Sequence, residues 1–484
     1  MSQHTRRSFL EHTLAVAAAG IASSTRRLPA QDTDAPSSTR PRSTERVGLA
    51  IIGLHGRGID HLDAYTFDDR VEVIALCDVD SATFGKAQRK LAERGRPVAK
   101  PYSDIRKLLE DKSVQAVSIA APNHWHALAG IWAMQAGKDV YVEKPVSHTF
   151  VEGRRLEEAR AKYGRTCQAG LQSRSNAAYR QAIQYVHDGK IGKLSLARGL
   201  CYKRRKSIGH LRDAPAPRGV DYDLWLGPAP KRPFNPNRFH YNWHWNWDYG
   251  NGDIGNQGVH QMDVARWALN KELPPNVVSF GGRFGYEDDG QTPNTLVCFF
   301  DYGDSHLLFE VRGLETAPVQ ELMVGTIVYG SEGFVAIANE DIDHAVAFDA
   351  KGSIVQRFKG SGNHFNNFIS AVLSGRQSDL HCPIIEGHLS SGMCHLANIS
   401  YQLGESRPFP QASSVAREGM DLNEAFNRFE QHLAANTLKL AEITYKKGPQ
   451  LSFDPREETF GSDAAANALL TREYRQPFVV PEHL

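Results

Sequence analysis

The stretch Val140-Tyr141-Val142-Glu143-Lys144-Pro145 predicts a buried strand that ends abruptly in an acid, a base and a proline. Short runs of β-branched and aromatic residues are typical of strands inside a sheet. In open α/β sheets, ligands bind just beyond the carboxyl ends of the strands. Proline lacks a backbone donor and restricts the residue before it to extended geometry, so the strand should stop there. We therefore expect Lys144 to face a ligand; a plain Glu-Lys pair at the protein surface is the competing interpretation.

A second apolar strand, predicted from Val47 to Ile52, runs into the turn Gly53-Leu54-His55-Gly56-Arg57-Gly58 and then into a helix. Strand, glycine-rich turn and helix form a dinucleotide-binding fingerprint, because glycines let the backbone approach a pyrophosphate at the helix N-terminus. The match to G-x-G-x-x-G is imperfect, since His55 occupies the place of the second glycine and Gly56 is displaced by one. This departure indicates a shifted turn or an imidazole near the phosphates. The residues assigned to the cofactor site here are Gly53, His55, Gly56, Arg57 and Gly58.

The next predicted strand, Val71 to Cys77, ends in Asp78. An acid at this distance from the glycine turn can accept hydrogen bonds from ribose hydroxyls, and its charge would repel a 2′-phosphate. We therefore expect NAD as the cofactor in preference to NADP. An ordinary turn residue at a strand end is the alternative interpretation of Asp78.

A third strand, predicted from Ala116 to Ala120, is followed by Ala121-Pro122-Asn123-His124-Trp125-His126 and by a helix over about 127–136. Because they follow a strand of the same sheet, Pro122, Asn123 and His124 should line the nicotinamide pocket, with Glu143 and Lys144 beside them. His124 and His126 have the spacing of a metal pair, but no acidic or thiol ligand lies nearby in sequence, so we expect no metal. The repeated strand, helix, strand order predicts a parallel, doubly wound sheet.

Aromatic and amide side chains dominate the segment from Phe239 to Tyr249, which includes Trp243 and His244. Aromatic faces combined with amide and imidazole edges suit a sugar, whose C–H face stacks while its hydroxyls form hydrogen bonds. A buried aromatic cluster that anchors a loop is the alternative. We assign Trp243 and His244 to the substrate site, together with Lys144.

The helix that follows is predicted to carry several polar groups on one face. Asp253 is expected to cap it, and Asn256, His260, Asp263 and Trp267 recur at three- and four-residue steps. An amide, an imidazole and an acid on one face favour a site over a plain core, although one histidine there can be a satisfied structural residue. We assign Asn256, His260 and Asp263 to the substrate site.

Beyond this helix, alternating strands between Val277 and Ala338 are joined by short turns, which predicts a largely antiparallel open sheet. The predicted fold is α/β, with an N-terminal Rossmann dinucleotide-binding domain and a C-terminal α/β domain with a large, mostly antiparallel open sheet. The predicted boundaries are 47–168 for the first domain, 169–404 for the second, and 405–484 for a C-terminal segment, with a helix from Leu422 to Leu440, that wraps on the body.

Residues 1–46 have the composition of an export signal and a flexible linker. Thr5-Arg6-Arg7-Ser8-Phe9-Leu10 contains a twin-arginine pair, and the apolar run from Leu14 to Ala22 is too short to span a bilayer. This pattern looks like a Tat signal, with a chance arginine pair in a disordered tail as the alternative. We expect export to the periplasm or the extracellular space, and no integral membrane segment in the mature chain.

The composition of the chain excludes several classes of protein. The net charge of +1 gives no indication of nucleic-acid binding. Six scattered cysteines without C-x-x-C spacing fit neither a zinc ribbon nor a small disulfide scaffold.

Together these features make the chain resemble the Gfo/Idh/MocA oxidoreductase family, from about Val47 to Gly404. The residues that carry the resemblance are the glycine turn, Asp78, Pro122-Asn123-His124, Glu143-Lys144-Pro145 and His260-x-x-Asp263. Trp225-Leu226-Gly227-Pro228 and the twin-arginine pair look like the exported, sugar-directed branch of that family. The resemblance implies a Rossmann domain followed by an α/β domain whose sheet covers the nicotinamide, commonly with dimerisation through that sheet. We accordingly expect a homo-oligomer, either a dimer or a tetramer.

The resemblance also implies roles for individual residues. Lys144 should hydrogen-bond the reacting hydroxyl, and His260 should take its proton as hydride leaves for the nicotinamide. The family often has an aspartate four residues before this histidine, where the present chain has Asn256. An amide can orient a sugar hydroxyl but cannot accept its proton.

Three functions remain open from the sequence. The first is a NAD-dependent oxidoreductase that acts on a sugar, polyol or glycoside hydroxyl by hydride transfer, with tightly bound cofactor. The second is a NAD-dependent glycoside hydrolase or lyase that oxidises its sugar transiently. The third is a non-catalytic sugar-binding or sensory protein.

Overall fold

The computed structural model of the protein describes residues 46–338, 345–409, 416, 417 and 420–484. The predicted export signal lies outside these residues. Within the described ranges, no helix combines the length and the apolar character that crossing a membrane requires.

Six parallel strands form the first sheet. They are β1 (Val47–Ile52), β2 (Val71–Cys77), β3 (Lys100–Tyr102), β4 (Ala116–Ile119), β5 (Asp139–Glu143) and β6 (Cys167–Gly170). Helices α1 (Arg57–Thr66), α2 (Ala82–Glu93), α3 (Ile105–Leu109), α4 (Asn123–Gln135) and α5 (Phe150–Tyr163) connect or follow them. The strand order β3-β2-β1-β4-β5-β6 is that of a dinucleotide-binding sheet, with its switch point between β1 and β4. The predicted Rossmann domain is confirmed.

The strands β1 and β5 are buried along their whole length. Parallel strands covered by helices on both faces are expected to be apolar throughout, which is why both runs were recognisable in the sequence. Helix α5 begins with a capping box, in which the Thr149 side chain and the Glu152 side chain each bond the other's backbone. These local signals fix the elements that place Lys144.

The second sheet has eleven strands. They are β7 (Leu194–Cys201), β8 (Asn276–Gly282), β9 (Thr295–Asp301), β10 (His306–Arg312), β11 (Val324–Gly330), β12 (Gly333–Ala338), β13 (Ala345–Asp349), β14 (Ile354–Phe358), β15 (Glu405–Pro408), β18 (Thr444–Lys447) and β19 (Leu451–Ser452). The order is β14-β13-β12-β11-β7-β10-β9-β8-β18-β15, with β19 beside β8. Among these described strands only β7 and β10 pair in parallel, so the predicted antiparallel character is confirmed. A separate short pair joins β16 (Ala416–Arg417) and β17 (Met420–Asp421).

Further helices complete the chain, and the one over His364–Ser374 packs on the first sheet. They are α6 (Ala177–His187), α7 (Tyr222–Leu226), α8 (Val259–Leu269), α9 (His364–Ser374), α10 (Ile384–Gln402), α11 (Asn423–Ala435) and α12 (Ala464–Ala468). Helices α8 and α10 contribute to the main core with Ala197, Cys298 and Phe309 of the sheet.

The segment after Gly404 does more than wrap around the body, because it supplies β15, β18 and β19 to the large sheet. Its helix was predicted to run to Leu440 but ends at Ala435, since Thr437 adopts a φ of 61° that a helix does not accept. Phe426 and Phe429 of this helix pack against Phe280 of β8. The chain thus covers part of a sheet face that the family resemblance links to dimerisation, and the oligomeric state stays a prediction.

Candidate functional site

A cavity of about 330 Å³ opens at the carboxyl ends of the parallel strands. One part of its lining comes from the turns after β1, β2, β4 and β5 of the first sheet, and the other comes from residues 224–244 and from Asn256. Its position at the switch point is where doubly wound sheets bind their ligands. Most of the residues predicted for a cofactor therefore line one cavity with four of those predicted for a substrate, namely Lys144, Trp243, His244 and Asn256.

The glycine turn fits the close approach of a cofactor. Gly53 has a φ of 83°, and a side chain there would meet the carbonyl oxygen of Ala120 at 2.7 Å. Gly56, with a φ of 54°, lines the cavity and has open space where a side chain would be. Gly58 lies below the surface against Gly53, where a side chain would meet the Gly53 oxygen at 1.7 Å. Gly58 thus allows the turn to pack, and Gly56 leaves room for a phosphate at the start of α1.

Asp78 follows β2 and lines the same cavity. Its carboxylate accepts a hydrogen bond from the Leu54 backbone N–H at 2.6 Å and another from the Asp80 backbone N–H at 2.9 Å. Burial raises the pKa of Asp78 to about 6, although these two donors favour the charged form. The carboxylate is held at the distance from the glycine turn that ribose recognition requires.

The imidazole at the second glycine position contacts a second histidine. The ring of His55 stacks on that of His240, with 4.4 Å between centroids and 11° between planes. Nε2 of His240 lies 3.0 Å from the Asp80 carboxylate. Both imidazoles line the cavity, so the aromatic loop folds down onto the glycine turn. Sequence reasoning missed His240, although it lies within the segment that was singled out.

Glu143 joins α1 to the end of β5. One of its carboxylate oxygens lies 2.9 Å from Nε of Arg57 and 2.9 Å from Nε2 of His61, and Gln172 donates to it at 3.3 Å. Burial opposes the ionisation of Glu143, but the Arg57 charge and the His61 hydrogen bond hold its pKa well below the usual range. Arg57 and His61 are four residues apart on one helix face, which is the signal that could have revealed this pair. The network fixes the backbone that carries Lys144.

Lys144 lines the cavity as predicted, and its Nζ donates a hydrogen bond to the main-chain oxygen of Asn256. Burial lowers the pKa of Lys144, while Glu143 opposes that shift. His260 does not line this cavity, and burial, followed by the Lys144 charge, lowers its pKa to about 3. Asn256 meets Lys144 through its backbone and not through the side-chain amide that was expected.

The segment before α8 departs from the prediction. Ile254–Gly258 forms a π-helical turn, and Asp253, whose backbone is already helical, makes no side-chain cap. Its carboxylate instead pairs with Arg205 at 2.7 Å. The predicted capping role of Asp253 is therefore wrong, because an ion pair from the end of β7 turns its side chain away from the helix start.

Asp263 is also corrected. Its carboxylate is fully buried, accepts hydrogen bonds from Arg174 at 2.9 and 3.0 Å, and accepts another from the Ser390 hydroxyl at 2.7 Å. Trp267 is on the same side of α8, with the Arg174 guanidinium 5.2 Å from its ring. The predicted shared face exists for these two residues, but it packs on a buried arginine and Asp263 makes no part of the cavity lining.

Helix α4 begins earlier than predicted, at Asn123, and this changes the place of His124. Its Nε2 lies 2.9 Å from the Trp225 backbone oxygen, and the buried ring packs against Trp225 and Tyr249. His124 therefore supports the cavity wall from behind, whereas Pro122 and Asn123 line the cavity as predicted.

His126 and His124 do not form a metal pair. Both ring nitrogens of His126 lie 2.6 Å from carbonyl oxygens, those of Pro145 and Ala121. Across the described ranges there is no group of three or more histidine, cysteine or acidic side chains placed to hold a metal ion.

The aromatic segment both anchors a loop and lines the cavity. Trp243 is buried, donates to the His240 backbone oxygen at 2.8 Å and stacks on His244, with 3.6 Å between centroids. Nδ1 of His244 lies 2.6 Å from the Tyr241 backbone oxygen, so this nitrogen carries the proton and Nε2 is the acceptor. Burial, with Lys144 and Arg205, lowers the pKa of His244 to about 3. The interpretation as a buried aromatic cluster that anchors a loop thus holds, and the assignment of Trp243 and His244, which line the cavity, to a sugar site stays a prediction.

Comparison with protein-family models gives two matches, both to models of one family, named for Gfo, Idh and MocA. Residues 47–171 match its "Oxidoreductase family, NAD-binding Rossmann fold". Residues 193–281 match its "Oxidoreductase family, C-terminal alpha/beta domain".

Individual relatives match this chain over part of its length. An inositol 2-dehydrogenase of Salmonella paratyphi B is 36% identical over 155 residues, which are 31% of this chain and 45% of that enzyme. A glycosyl hydrolase family 109 protein of Stenotrophomonas maltophilia is 32% identical over 199 residues, 39% of this chain and 40% of that protein. The similarity thus spans less than half the length of these relatives. The structure of an aldose-aldose oxidoreductase from Caulobacter crescentus, complexed with glycerol, is 17% identical, covers 72% of this chain and 95% of that one, and has a TM-score of 0.53.

Proposed function

We propose that this chain, whose residues 47–171 and 193–281 match models of the Gfo/Idh/MocA oxidoreductase family, is a NAD-dependent oxidoreductase of a sugar, polyol or glycoside hydroxyl. The observation that carries the proposal is that Lys144, at the end of β5, lines the same cavity as Gly53, Gly56 and Asp78. Among similar proteins, one is named an inositol dehydrogenase and another an aldose-aldose oxidoreductase. Inositol is a polyol and an aldose is a sugar, which favours a hydroxylated substrate.

The chain offers every contact that a nicotinamide dinucleotide needs. The start of α1 and Gly56 would receive the pyrophosphate, and the Asp78 carboxylate would accept the ribose hydroxyls. Pro122 and Asn123 would border the nicotinamide, which supplies a hydride acceptor when it is bound. Because Asp78 is an acid beside the ribose position, NAD fits better than NADP.

The substrate hydroxyl is placed by Lys144 and relieved of its proton by His260. A protonated Lys144 stabilises negative charge that develops on the oxygen. His260 would be the group that takes the proton, and burial lowers its pKa to about 3, so it would enter the reaction as a neutral imidazole. The Asn256 side chain and Trp243 would orient the sugar, by hydrogen bonding and by stacking respectively.

A second candidate is a NAD-dependent glycoside hydrolase or lyase. A matched relative is named a glycosyl hydrolase family 109 protein, and the cavity holds a second neutral imidazole, His244. Transient oxidation of a sugar hydroxyl acidifies the neighbouring C–H, and removal of that proton expels the glycosidic substituent. His244 is placed to act as the second base. A protein that binds sugar without turnover is the third candidate.

The proposal includes export through the twin-arginine route. Arg6 and Arg7 precede a short apolar run, a pattern that lies outside the described residues. Such a destination has no dissolved nicotinamide pool, so a tightly retained cofactor suits it. Replacement of Arg6 and Arg7 by lysine should keep the protein in the cytoplasm of a Tat-competent host.

The decisive experiment is to denature the purified protein and to identify the released small molecule by mass and ultraviolet spectrum. NAD in near-stoichiometric amount is expected. Absence of any nicotinamide dinucleotide, with none taken up on addition, would refute both enzymatic candidates and leave the sugar-binding protein.

A glycoside screen without added cofactor then separates the two enzymes. Net NADH formation during oxidation of a free sugar identifies the oxidoreductase. Release of the aglycone with no net NADH identifies the hydrolase or lyase.

A further inference from the structure

A basic run, Lys203-Arg204-Arg205-Lys206, follows β7 after Tyr202. The near-neutral net charge of the whole chain does not reveal this run. Arg205 is half-buried and held in place, because its guanidinium pairs with Asp253 at 2.7 Å and lies 5.2 Å from the Trp245 ring. Asp253 itself is buried, so this pair is shielded from solvent screening. Arg205 thus anchors the run beside the π-helical turn that contains Asn256.

The positive charge of Lys203, in contrast, is not compensated by the Arg205–Asp253 pair. It is exposed, and its Nζ lies 3.5 Å from the side-chain oxygen of Gln257, a neutral amide. Gln257 is the neighbour of Asn256, which lines the cavity. The ammonium group therefore lies outside the cavity lining, beside the turn that contributes Asn256, and has its remaining donors available.

The charges around the cavity are unevenly distributed. Its acidic lining residues are Asp78, Asp104 and Glu143, and the first two follow strands of the cofactor half. Glu143 is neutralised by Arg57 at 2.9 Å. At the substrate end, burial lowers the pKa of Lys144, Glu143 raises it, and Arg57, Lys203 and Arg205 lower it further. Lys203 thus adds a positive charge near Lys144.

We propose that the substrate is an anionic sugar, one that bears a carboxylate or a sulfate group, and that Lys203 binds this group. The proposal deepens the proposed function and rests on it for the identity of the site. A positive site attracts anionic ligands and disfavours cationic ones, and the contribution is sensitive to salt. The ammonium groups of Lys144 and Lys203 would repel each other less once an anion lies between them.

The test compares sugars that differ only in this charge. Titration calorimetry with the purified, cofactor-containing protein uses methyl glucuronide against methyl glucoside, methyl galacturonide against methyl galactoside, and the corresponding 6-sulfates. For at least one pair we expect the anionic member to bind about tenfold more tightly at low ionic strength, and the gain to shrink at high ionic strength. Equal binding within every pair, or tighter binding of the neutral member, would overturn the proposal.

Two variants assign the effect to its residue. Lys203→Gln should lower the ratio of anionic to neutral affinity about tenfold, while Lys351→Gln, at an exposed turn after β13, should leave that ratio unchanged. A Lys203→Gln ratio equal to that of the parent protein would contradict the role of Lys203. The relative response to carboxylate and sulfate identifies which anion the site prefers.

Calorimetry also separates this proposal from the proposed function. Binding needs no turnover, so a preference for the anionic sugar in a protein without nicotinamide dinucleotide would refute the enzyme and keep the charge recognition. A working dehydrogenase with no preference between the members of any pair would do the reverse.

Discussion

The two halves of the cavity are built in different ways. The cofactor half is formed by turns that each follow a strand of one parallel sheet, with Gly53 after β1, Asp78 after β2 and Asn123 after β4. The substrate half is assembled from segments without a common element, namely the aromatic loop and the π-helical turn. Lys144, at the end of β5, connects the halves through its bond to the Asn256 oxygen, and the His55–His240 stack connects them as well.

This difference indicates which parts of the site are determined by the fold and which parts can vary. The position of each cofactor residue follows from strand order alone, and any sequence with this sheet would place a ligand there. Substrate residues depend on pairings such as Arg205 with Asp253, which connect parts of the chain that are 48 residues apart. The first half therefore defines a reaction class, and the second half selects the molecule that reacts.

The largest effect is expected from the replacement of Lys144, which connects the two halves. Lys144→Ala should leave the nicotinamide dinucleotide bound and lower kcat about 10² to 10⁴-fold, because the variant loses a donor that stabilises charge on the substrate oxygen. Retained cofactor is measured by its absorbance after denaturation, and turnover is measured on the best substrate. A variant with full activity would remove Lys144 from the mechanism.

The dependence of the rate on pH should follow the protonation of Lys144. Only the protonated lysine donates to the substrate, and burial places its pKa below the ordinary value of 10.5. The rate should therefore be full at lower pH and fall as pH rises through this lowered pKa, giving an alkaline limb below pH 10.5. A pH profile of kcat/KM checks this, and a Lys144→Arg variant, whose charge persists, should lack that limb in whatever activity it keeps.

Asp263 was assigned to the substrate half from the sequence, but the structure places it in the core beside Arg174. Asp263→Asn leaves the buried Arg174 without its main carboxylate and should cost about 3 kcal/mol of unfolding free energy. Asp304→Asn, which breaks an exposed pair with Lys271, is the matched control and should cost less than 1 kcal/mol. Denaturant titrations measure both. Equal stability of the two variants, with lost turnover in Asp263→Asn alone, would return Asp263 to the substrate site.

The same residue shows what a sequence can and cannot predict. Strands β1 and β2 have the bounds that the sequence predicted, Val47–Ile52 and Val71–Cys77, because their apolar patterns are local signals. The polar side of α8 was predicted as well, but periodicity does not say what a face will meet. Arg174, which decides the role of Asp263, lies 89 residues away.

Two further residues follow this rule. His55 was recognised as a departure from the glycine pattern, but its stacking partner His240 lies in a loop with no periodic signal. The capping role of Asp253 failed because a long-range ion pair outweighed a local preference. Local chemistry thus located the site, and distant pairings determined how its substrate half is arranged.

A smaller effect is expected from Asp78 in the cofactor half. Asp78→Asn keeps the shape of the side chain but removes the charge that opposes a 2′-phosphate, so discrimination between NAD and NADP should fall about tenfold. Fluorescence titration of NADH and NADPH against protein freed of its cofactor measures the ratio. Asp104→Asn, a second acid that lines the cavity and caps α3, is the control. An unchanged ratio in Asp78→Asn would mean that another group sets cofactor preference.

The smallest effect should come from the contact that closes one half over the other. His240→Ala removes the stack on His55 and the pairing with Asp80, which together hold the aromatic loop on the glycine turn. Such a stack contributes about 0.5–1.5 kcal/mol, so cofactor release should accelerate about 2- to 13-fold while the folded structure is kept. The matched control is His210→Ala, which replaces an exposed histidine that precedes the aromatic loop in sequence and pairs with Asp289. If both variants release cofactor at the parent rate, the loop is held on the turn by Trp243 and its neighbours, and the two halves of the cavity are coupled through Lys144 alone.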